Sequence, residues 1–190
     1  MVFMIPLSCR ADSDPRQVIQ QFCDSLLSVM KQGPKLGFAG RVEQLRAPVG
    51  EAYDLRAMTR DAVGPAAARM TPDELRHLAE AFSRYTVASY ADQFSSWDGE
   101  RFDVGTPHAS TDSMVVVPSQ IVPKDGSPTE IDYVMRKDRD GQWKIVDVLL
   151  EGTVSQLAVR RSEFMSVYRR DGLAGLVNLL DNKTAAMGKG

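Results

Sequence analysis

Residues Gln142–Gly175 have the sequence QWKIVDVLLEGTVSQLAVRRSEFMSVYRRDGLAG, and they decide the fold because a strand, a corner and a helix follow one another there. Apolar residues occupy both faces of Trp143–Leu150, which predicts a strand covered on two sides. Gly152 permits the backbone corner that follows, and Thr153 or Ser155 can cap the next helix. The rest of the chain is expected to pack around this unit.

Length and composition are those of an ordinary globular chain. A length of 190 residues, 43% of them hydrophobic, predicts one domain with a core that needs no disulfide or metal. The formal net charge of −2 does not favour a nucleic-acid partner, which usually requires a basic domain. Cys9 and Cys23 are too few for a disulfide framework or a zinc site, although the two thiols could pair with each other. No apolar run reaches the roughly 18 residues of a membrane span.

The beginning of the chain has two open interpretations. Met1–Ser8 is apolar, but it is shorter than the apolar part of a secretory signal and no lysine or arginine precedes it. We expect either a damaged or partial leader or a disordered start. Pro6–Cys9 faintly resembles a lipoprotein cleavage site, with proline where an aliphatic residue is expected. A single ordered domain is predicted over 14–185, with a flexible tail at 186–190.

Helical spacing of apolar residues predicts three helices before the strands and two after them. Asp14 can cap the first helix with Pro15 at its first position, and Gly33-Pro34 is expected to end it. Thr71 can cap the third helix. The other helices are predicted over about 39–47, 154–170 and 172–183, and the third helix is predicted to run to about residue 94.

The period of the apolar residues changes after Trp97, and four strands are predicted from there to Leu150. The turn Asp138–Gly141 ends in Asp-Gly, which is a strong hairpin signal between two alternating runs. A polar loop is expected between the first two strands. The strands are predicted over 101–105, 113–121, 130–137 and 142–150. Helices segregated from strands predict an α+β fold, with helices on one face of a curved antiparallel sheet.

Motifs for catalysis or metal binding are missing from the sequence. It has no glycine-rich phosphate loop, no Gly-x-Ser-x-Gly and no His-Glu-x-x-His. His77 is expected on the surface of a helix and His108 in a loop. Asp132 and Asp147 fall on the two strands of one hairpin, either as a pair for acid–base chemistry or as a solvated, salt-bridged rim. No catalytic residue, metal ion or cofactor is predicted.

Three stretches of the chain carry a recognisable set of motifs. They are Tyr53-Asp54-Leu55-x-x-Met58 with Val63-Gly64; Thr71–Phe82 continuing to Tyr90; and Trp143–Val148 with Glu151-Gly152 and Arg161–Phe164. The spacing to Gly172–Leu176 also fits. Together they resemble the MlaC family of periplasmic lipid carriers, also described as toluene-tolerance or phospholipid-binding proteins. The resemblance covers about residues 14–183.

The resemblance implies an NTF2-like cone with extra helices, which encloses hydrocarbon and leaves the polar head of a lipid at its mouth. It also implies a periplasmic lipid shuttle, expected to be a monomer, that works with inner-membrane or outer-membrane transport complexes. From the residues alone, a solid core and an open cavity are both possible. The side chains predicted to line the cavity or its mouth are Tyr53, Leu55, Met58, Phe82, Tyr85, Phe102, Val115, Val117, Ile131, Tyr133, Met135, Ile145 and Val148.

One departure from the family pattern concerns the ligand. Arg161 follows Gly152 by one residue more than in the phospholipid carriers, and Thr153–Leu157 resembles the HpnM branch, which is associated with hopanoid export. This favours a polycyclic lipid, with phospholipid as the alternative.

Two other classes of protein stay open at this point. An NTF2-like small-molecule enzyme would need an Asp, Glu or His side chain inside the cavity. An interaction protein would need no cavity. The closing helix also carries four arginines, which form either a solvated face or a docking strip for anionic lipid or an acidic partner. These arginines are Arg160, Arg161, Arg169 and Arg170.

Overall fold

The computed structural model describes residues 14–189, which form four α-helices and an antiparallel sheet of seven strands. The helices are α1 (Pro15–Ala52), α2 (Leu55–Val63), α3 (Pro72–Gln93) and α4 (Gln156–Ala186), with a 3-10 helix over Gly64–Arg69. The strands are β1 (Arg101–Val104), β2 (His108–Thr111), β3 (Met114–Val117), β4 (Ser119–Val122), β5 (Thr129–Lys137), β6 (Trp143–Leu150) and β7 (Val154–Ser155). The predicted α+β class is confirmed. The expectations for residues 1–13 lie outside the described residues.

Both predicted N-terminal caps are present. The Asp14 carboxylate accepts a hydrogen bond from the backbone N–H of Arg16 at 3.0 Å, with Pro15 at the first helical position. Thr71 forms a full capping box with Glu74, in which each side chain accepts from the other residue's backbone N–H. Each cap satisfies backbone donors that the first turn of a helix leaves unpaired, which is why short sequence signals located these two ends.

The break predicted at Gly33-Pro34 is displaced to Gly37, where α1 kinks and two helices join. The helix predicted over 39–47 lies within the second of the two, which ends at Ala52. A proline inside a helix removes one backbone hydrogen bond and bends the axis without having to end the helix. The backbone leaves helical geometry only at Gly37, where φ is 61°.

Gly33 has a different role from the one predicted. A Cβ atom at this position would lie 1.9 Å from the backbone oxygen of Ser95. The glycine therefore allows the segment after α3 to approach α1 closely. The buried Arg41 side chain also links α1 to α3. Its guanidinium donates hydrogen bonds to the carbonyl oxygens of Ala91 at 2.7 Å and of Gly33 at 3.1 Å.

The sheet has seven strands instead of about four. Pro118 divides the predicted strand over 113–121 into β3 and β4, because proline has no N–H to donate to a neighbouring strand. The segment predicted as a loop contains the exposed strand β2, which pairs with β3. Strands β3 and β4 pair with successive parts of β5. On their other side, β3 pairs with β2 and β4 pairs with β1. The strands therefore still follow the predicted meander.

The hairpin between β5 and β6 forms where it was predicted. The Asp138 carboxylate accepts hydrogen bonds from the backbone N–H groups of Asp140 and Gln142, each at 2.9 Å. Gly141 has φ of 77°, which an L side chain rarely adopts. Ile145 and Val146 are neighbours on opposite faces of β6, and both are buried. The middle of this strand is therefore covered on two sides, as its apolar pattern predicted.

The two predicted closing helices are the two halves of α4, which bends at Gly172 with φ of 68°. Ser155, one of the two cap candidates, accepts from the backbone N–H of Ala158 at 2.9 Å. The second half of α4 is anchored by the buried side chains of Leu176, Val177 and Leu180. The first half buries only Phe164 completely. Helices α1, α2 and α4 all contact β6, so this strand lies at the centre of the packing.

Candidate functional site

An aromatic cluster lies where α1, α3 and the sheet meet. The ring of Phe22 contacts Tyr53, Tyr90 and Tyr133 edge to face, with ring centroids 5.6, 5.2 and 6.2 Å apart. This geometry places the positive edge of one ring against the negative face of another. The cluster forms a rigid aromatic surface in the interior.

A cavity of about 120 Å³ begins at this cluster and is bounded by α2, α3, the first turns of α4 and strands β5 and β6. Most of its lining side chains are aromatic or aliphatic, and the polar ones are hydroxyls, amides and a guanidinium. Its lining residues are Tyr53, Met58, Phe82, Thr86, Ser89, Tyr90, Gln93, Phe94, Ile131, Tyr133, Val148, Leu150, Gln156, Leu157 and Arg160.

The structure brings six of the predicted wall residues together around this cavity. They are Tyr53, Met58, Phe82, Ile131, Tyr133 and Val148. The alternation of β5 explains two of them, because Ile131 and Tyr133 are two positions apart and point to the same face. Whether any of them contacts a lipid stays a prediction.

The other predicted residues lie elsewhere. Val117, Met135 and Ile145 are completely buried in the core. Val115 packs against that core, and Phe102 packs against Phe94 with ring centroids 6.0 Å apart. The remaining two are Leu55, which faces a separate groove described below, and Tyr85, which stacks with Arg160.

The polar part of the lining was not predicted from the sequence, and neither were the apolar lining residues Phe94, Leu150 and Leu157. Thr86, Ser89, Tyr90 and Gln93 follow Phe82 on α3 at helical spacing, so one face of this helix borders the cavity. The spacing itself was available from the sequence. The Thr86 and Ser89 hydroxyls donate to backbone oxygens four residues earlier, at 2.9 and 2.8 Å, and so add little free polarity.

The tyrosine hydroxyls at the inner end of the cavity are neutral. Tyr53 and Tyr90 hydrogen-bond to each other through their hydroxyl groups. Burial raises the pKa of Tyr90 to about 12, and it raises the pKa values of Tyr53 and Tyr133 in the same direction. Burial also raises the pKa of the neighbouring Cys23 to about 12, so this thiol stays protonated and unreactive at neutral pH.

Arg160 lies at the edge of the cavity over two aromatic rings. Its guanidinium is 4.9 Å from the ring centroid of Tyr85 and 5.8 Å from that of Phe82. Burial acts to raise the pKa of Tyr85, but the hydrogen bond and charge of Arg160, together with Ser89 and Lys183, lower it overall.

The four arginines of α4 consequently do not form one strip. While Arg160 borders the cavity, the guanidinium of Arg161 lies beside Gly64, where it would be 2.9 Å from an added Cβ atom. Arg169 is exposed, and Arg170 pairs with Asp171 at 2.7 Å.

Asp132 and Asp147, the candidate carboxylate pair for acid–base chemistry, are not directly opposite each other in the sheet. Asp132 lies opposite Leu149 in the sheet, whereas Asp147 lies opposite Val134. Asp147 has a structural role instead, since it ties β6 to the start of α4. Its carboxylate accepts hydrogen bonds from three donors, which are the Ser155 hydroxyl at 2.5 Å, the backbone N–H of Leu157 at 2.9 Å and the backbone N–H of Val148 at 2.7 Å.

The two histidines are both exposed. His77 lies on α3, and His108 lies on β2 instead of the predicted loop. Among residues 14–189, no three His, Cys, Asp or Glu side chains are grouped as metal ligands. No helix in the same part of the chain is long and apolar enough to cross a membrane.

The fold and the cavity together define an α+β binding protein in which helices enclose a mostly apolar space against an antiparallel sheet. The family model described as MlaC protein matches residues 20–182, and the chain therefore belongs to the MlaC family. This confirms the family resemblance that the three stretches predicted.

The fold is also that of a solved structure. It is the phospholipid-binding protein from Ralstonia solanacearum in complex with a phospholipid, which superposes with a TM-score of 0.79 at 22% sequence identity. The match covers 93% of this chain and 100% of that chain. A search of curated proteins found no match.

Proposed function

We propose that this protein is a periplasmic lipid carrier, which holds a hydrophobic lipid between α3, α4 and the sheet and moves it between membrane transport complexes. The observation that carries the proposal is the MlaC family match over residues 20–182. The phospholipid bound to the Ralstonia protein of the same fold supports a lipid as the ligand. Residues 14–185 would form the carrier domain, as a monomer.

The chemistry of the cavity supports this function. A lipid in water exposes a large hydrocarbon surface, and its burial contributes about 25 cal/mol per Å². A carrier therefore needs a water-excluding space more than it needs specific polar contacts. Phe82, Ile131 and Val148 supply aliphatic and aromatic walls, and Met58 supplies a flexible one that can repack around different chains.

The size of the cavity implies a movement. At about 120 Å³ it is smaller than the roughly 300–1,000 Å³ of most ligand pockets. Lipid entry would therefore require the first half of α4 to move away from the sheet, which would break the hydrogen bonds from Ser155 and Leu157 to Asp147. Two features support this movement, since the first half buries only Phe164 completely and Gly172 separates it from the better anchored second half.

The lining argues against the two other classes of protein. Among the described residues, no Asp, Glu or His lines the cavity, so the acid–base group that an NTF2-like enzyme needs is missing from it. An interaction protein without a ligand needs no internal cavity, whereas this chain has one that is bordered by Phe82, Phe94 and Leu157.

We further propose that the segment after Gly152 influences which lipid is bound. The residue by which this chain exceeds the phospholipid carriers falls between Gly152 and Arg161, a segment that contains β7 and the first turn of α4. One added residue rotates a helix by about 100°, which changes the side chains that face the cavity. A polycyclic lipid such as a hopanoid, in the manner of the HpnM branch, is the expected ligand, with phospholipid as the alternative.

The proposal is tested by lipid extraction and mass spectrometry of the purified protein. Leu157→Trp fills the cavity from α4, and Val159→Trp places the same side chain on the exposed face of the same helix, where Val159 is 54% exposed. We expect bound lipid in the unmodified protein and in Val159→Trp, and at least about fivefold less in Leu157→Trp.

Thermal unfolding of Leu157→Trp, Val159→Trp and the unmodified protein checks that Leu157→Trp is folded. A polypeptide free of lipid in repeated preparations from a lipid-containing host would contradict the carrier proposal. Equal lipid content in the two variants would place the ligand outside this cavity. The mass of the extracted lipid distinguishes a hopanoid from a phospholipid.

A further inference from the structure

A second concave feature lies on the other side of Tyr53. It is a groove of about 740 Å³ between the start of α2, the first half of α3 and the β5–β6 hairpin, and we call it the basic groove. Tyr53 borders both the basic groove and the cavity. The lining of the groove consists mostly of charged side chains. Its cationic residues are Arg56, Arg60, Arg76, Arg136, Lys137, Arg139 and Lys144, and its acidic residues are Asp54, Glu80, Asp138 and Asp140.

The local charge is opposite to that of the whole protein. The lining holds seven cationic side chains and four carboxylates, in a chain whose formal net charge is −2. Two carboxylates outside the lining, Asp61 and Asp73, pair with Arg136 at 4.0 Å and with Arg76 at 2.7 Å, which leaves a local excess of one positive charge. Two of the four carboxylates in the lining already accept hydrogen bonds from backbone N–H groups. Asp54 accepts from Ala57 at 2.9 Å as the N-cap of α2, and Asp138 accepts from Asp140 and Gln142 within the hairpin turn.

Several of the cations have little local compensation. Arg56 and Arg60 are one turn apart on α2, and Arg139 lies at the tip of the hairpin opposite them; all three are exposed. None of the three forms an ion pair or a side-chain hydrogen bond with the described part of the chain. Arg76 differs, since it pairs with Asp73 at 2.7 Å.

We propose that the basic groove is the docking site for an acidic segment of a partner protein. Five of its seven cations are arginines, whose planar guanidinium groups bind carboxylates through two parallel hydrogen bonds. Cations on two facing walls can contact both sides of an extended segment. The two acidic side chains that do not already accept backbone hydrogen bonds within the described chain, Glu80 and Asp140, can in turn accept hydrogen bonds from the backbone of that segment.

An anionic membrane surface fits the groove less well than a protein segment. A bilayer is flat, whereas these cations line a concave space that also contains carboxylates. None of the large apolar side chains that are exposed in the described chain lines the groove, whereas one of them, Leu150, lines the cavity. The two features therefore differ in chemistry, with mostly apolar side chains at the cavity and charged ones at the basic groove.

The binding itself does not depend on the lipid carried. That the partner is a transport complex rests on the proposed function. Attraction between exposed charges falls as salt rises, because the Debye length shortens from about 10 Å at 0.1 M to about 3 Å at 1 M. Binding at the basic groove should consequently weaken steeply with salt.

The experiment uses the full chain and a peptide of alternating glutamate and serine, blocked at both ends, with affinity measured by calorimetry. The test variant combines Arg56→Gln, Arg60→Gln and Arg139→Gln. The control variant combines Lys35→Gln, Lys124→Gln and Arg169→Gln, which removes the same charge at exposed positions outside the groove. We expect about tenfold weaker binding for the test variant and less than a twofold change for the control.

Several outcomes would overturn the inference. These are equal affinity of the test variant and the unmodified protein, or equal affinity for a peptide in which glutamine replaces glutamate. Binding to phosphatidylglycerol vesicles, lost in the test variant while the peptide does not bind, would assign the groove to a membrane instead. Lipid content measured on the same preparations keeps the two proposals separate, since retained lipid with no peptide binding contradicts only the groove.

Discussion

The cavity and the basic groove lie on the two sides of Tyr53 and are built in opposite ways. The cavity is bordered by buried aromatic and aliphatic side chains that also hold the fold together. The groove is bordered mostly by charged side chains, several of them exposed. If both proposals hold, lipid binding and folding use the same side chains at the cavity, whereas partner binding and folding use different ones at the groove. Substitutions at the two sites should therefore have effects of very different size.

The largest effect is expected from Phe82→Ala on the cavity side. Phe82 is 1% exposed and contacts Phe164 edge to face at 5.7 Å between ring centroids. Its removal enlarges a cavity inside the core and should cost about 3–5 kcal/mol of unfolding free energy. Urea denaturation measures this loss. Phe82→Leu, which keeps most of the side-chain volume, is the control. A loss below about 1 kcal/mol for Phe82→Ala would contradict the claim that the cavity side chains also hold the fold together.

Alanine substitution of two glycines in α1 compares a closely packed position, Gly33, with an open one, Gly50. Gly33→Ala places a Cβ atom 1.9 Å from the oxygen of Ser95, and overpacking of this kind costs about 1–3 kcal/mol or more. Gly50 lines the basic groove and has no atom within 4 Å of an added Cβ, so Gly50→Ala should stabilise the helix by about 0.5–1 kcal/mol. Opposite shifts in melting temperature are expected. Shifts of the same sign would contradict the packing at Ser95.

High pH should destabilise the protein through the tyrosines of the cavity. Burial raises the pKa of Tyr90 from about 10 to about 12, so the folded state favours the neutral phenol. The stabilisation is fully present below pH 10 and is lost as pH rises toward 12, by about 1.4 kcal/mol per pH unit for this group. Urea unfolding at a series of alkaline pH values should show a smaller slope for Tyr90→Phe, and an unchanged slope would exclude this group as the cause.

The smallest effect is expected on the groove side. Arg60→Gln and Arg139→Gln remove exposed side chains without ion pairs in the described chain, and each should change the unfolding free energy by less than about 0.5 kcal/mol. Denaturation at low and high salt measures this. A loss above about 1 kcal/mol would mean that these cations stabilise the fold, and the separation between the two sites would fail.

Much of the fold could be predicted because its signals are local. The caps at Asp14 and Thr71 and the turn at Asp138 depend on hydrogen bonds within four residues, so a short stretch of sequence contains all the groups that take part. The helix break expected at Gly33 lies at Gly37, and the strand division at Pro118 was not predicted, because such a signal has several structural uses. A glycine can end a helix or admit a neighbouring backbone, and a proline can end a strand or divide it.

The site was harder to predict for the opposite reason. Tyr133 and Met135 are two positions apart on β5 and point to the same face of the sheet. Tyr133 nevertheless borders the cavity, whereas Met135 is completely buried in the core. The sequence pattern shows that both point inward. It does not show where the helices leave a space, because that depends on side chains brought together from α3, α4 and the sheet.

The amino-acid sequence was sufficient for the class of fold, for the order in which helices, then strands, then a closing helical segment follow one another, and for membership of the MlaC family. Each of these follows from patterns that repeat along a few turns or one strand. Only the tertiary structure decided that Asp147 anchors α4, that Gly33 admits Ser95 and that the cavity ends at a tyrosine pair. These depend on contacts between distant residues, whose geometry is settled by how the elements pack. The stretch Gln142–Gly175 shows both kinds of information. Its strand and helix could be predicted from the sequence, whereas the hydrogen bonds from Ser155 and Leu157 to the Asp147 carboxylate could not.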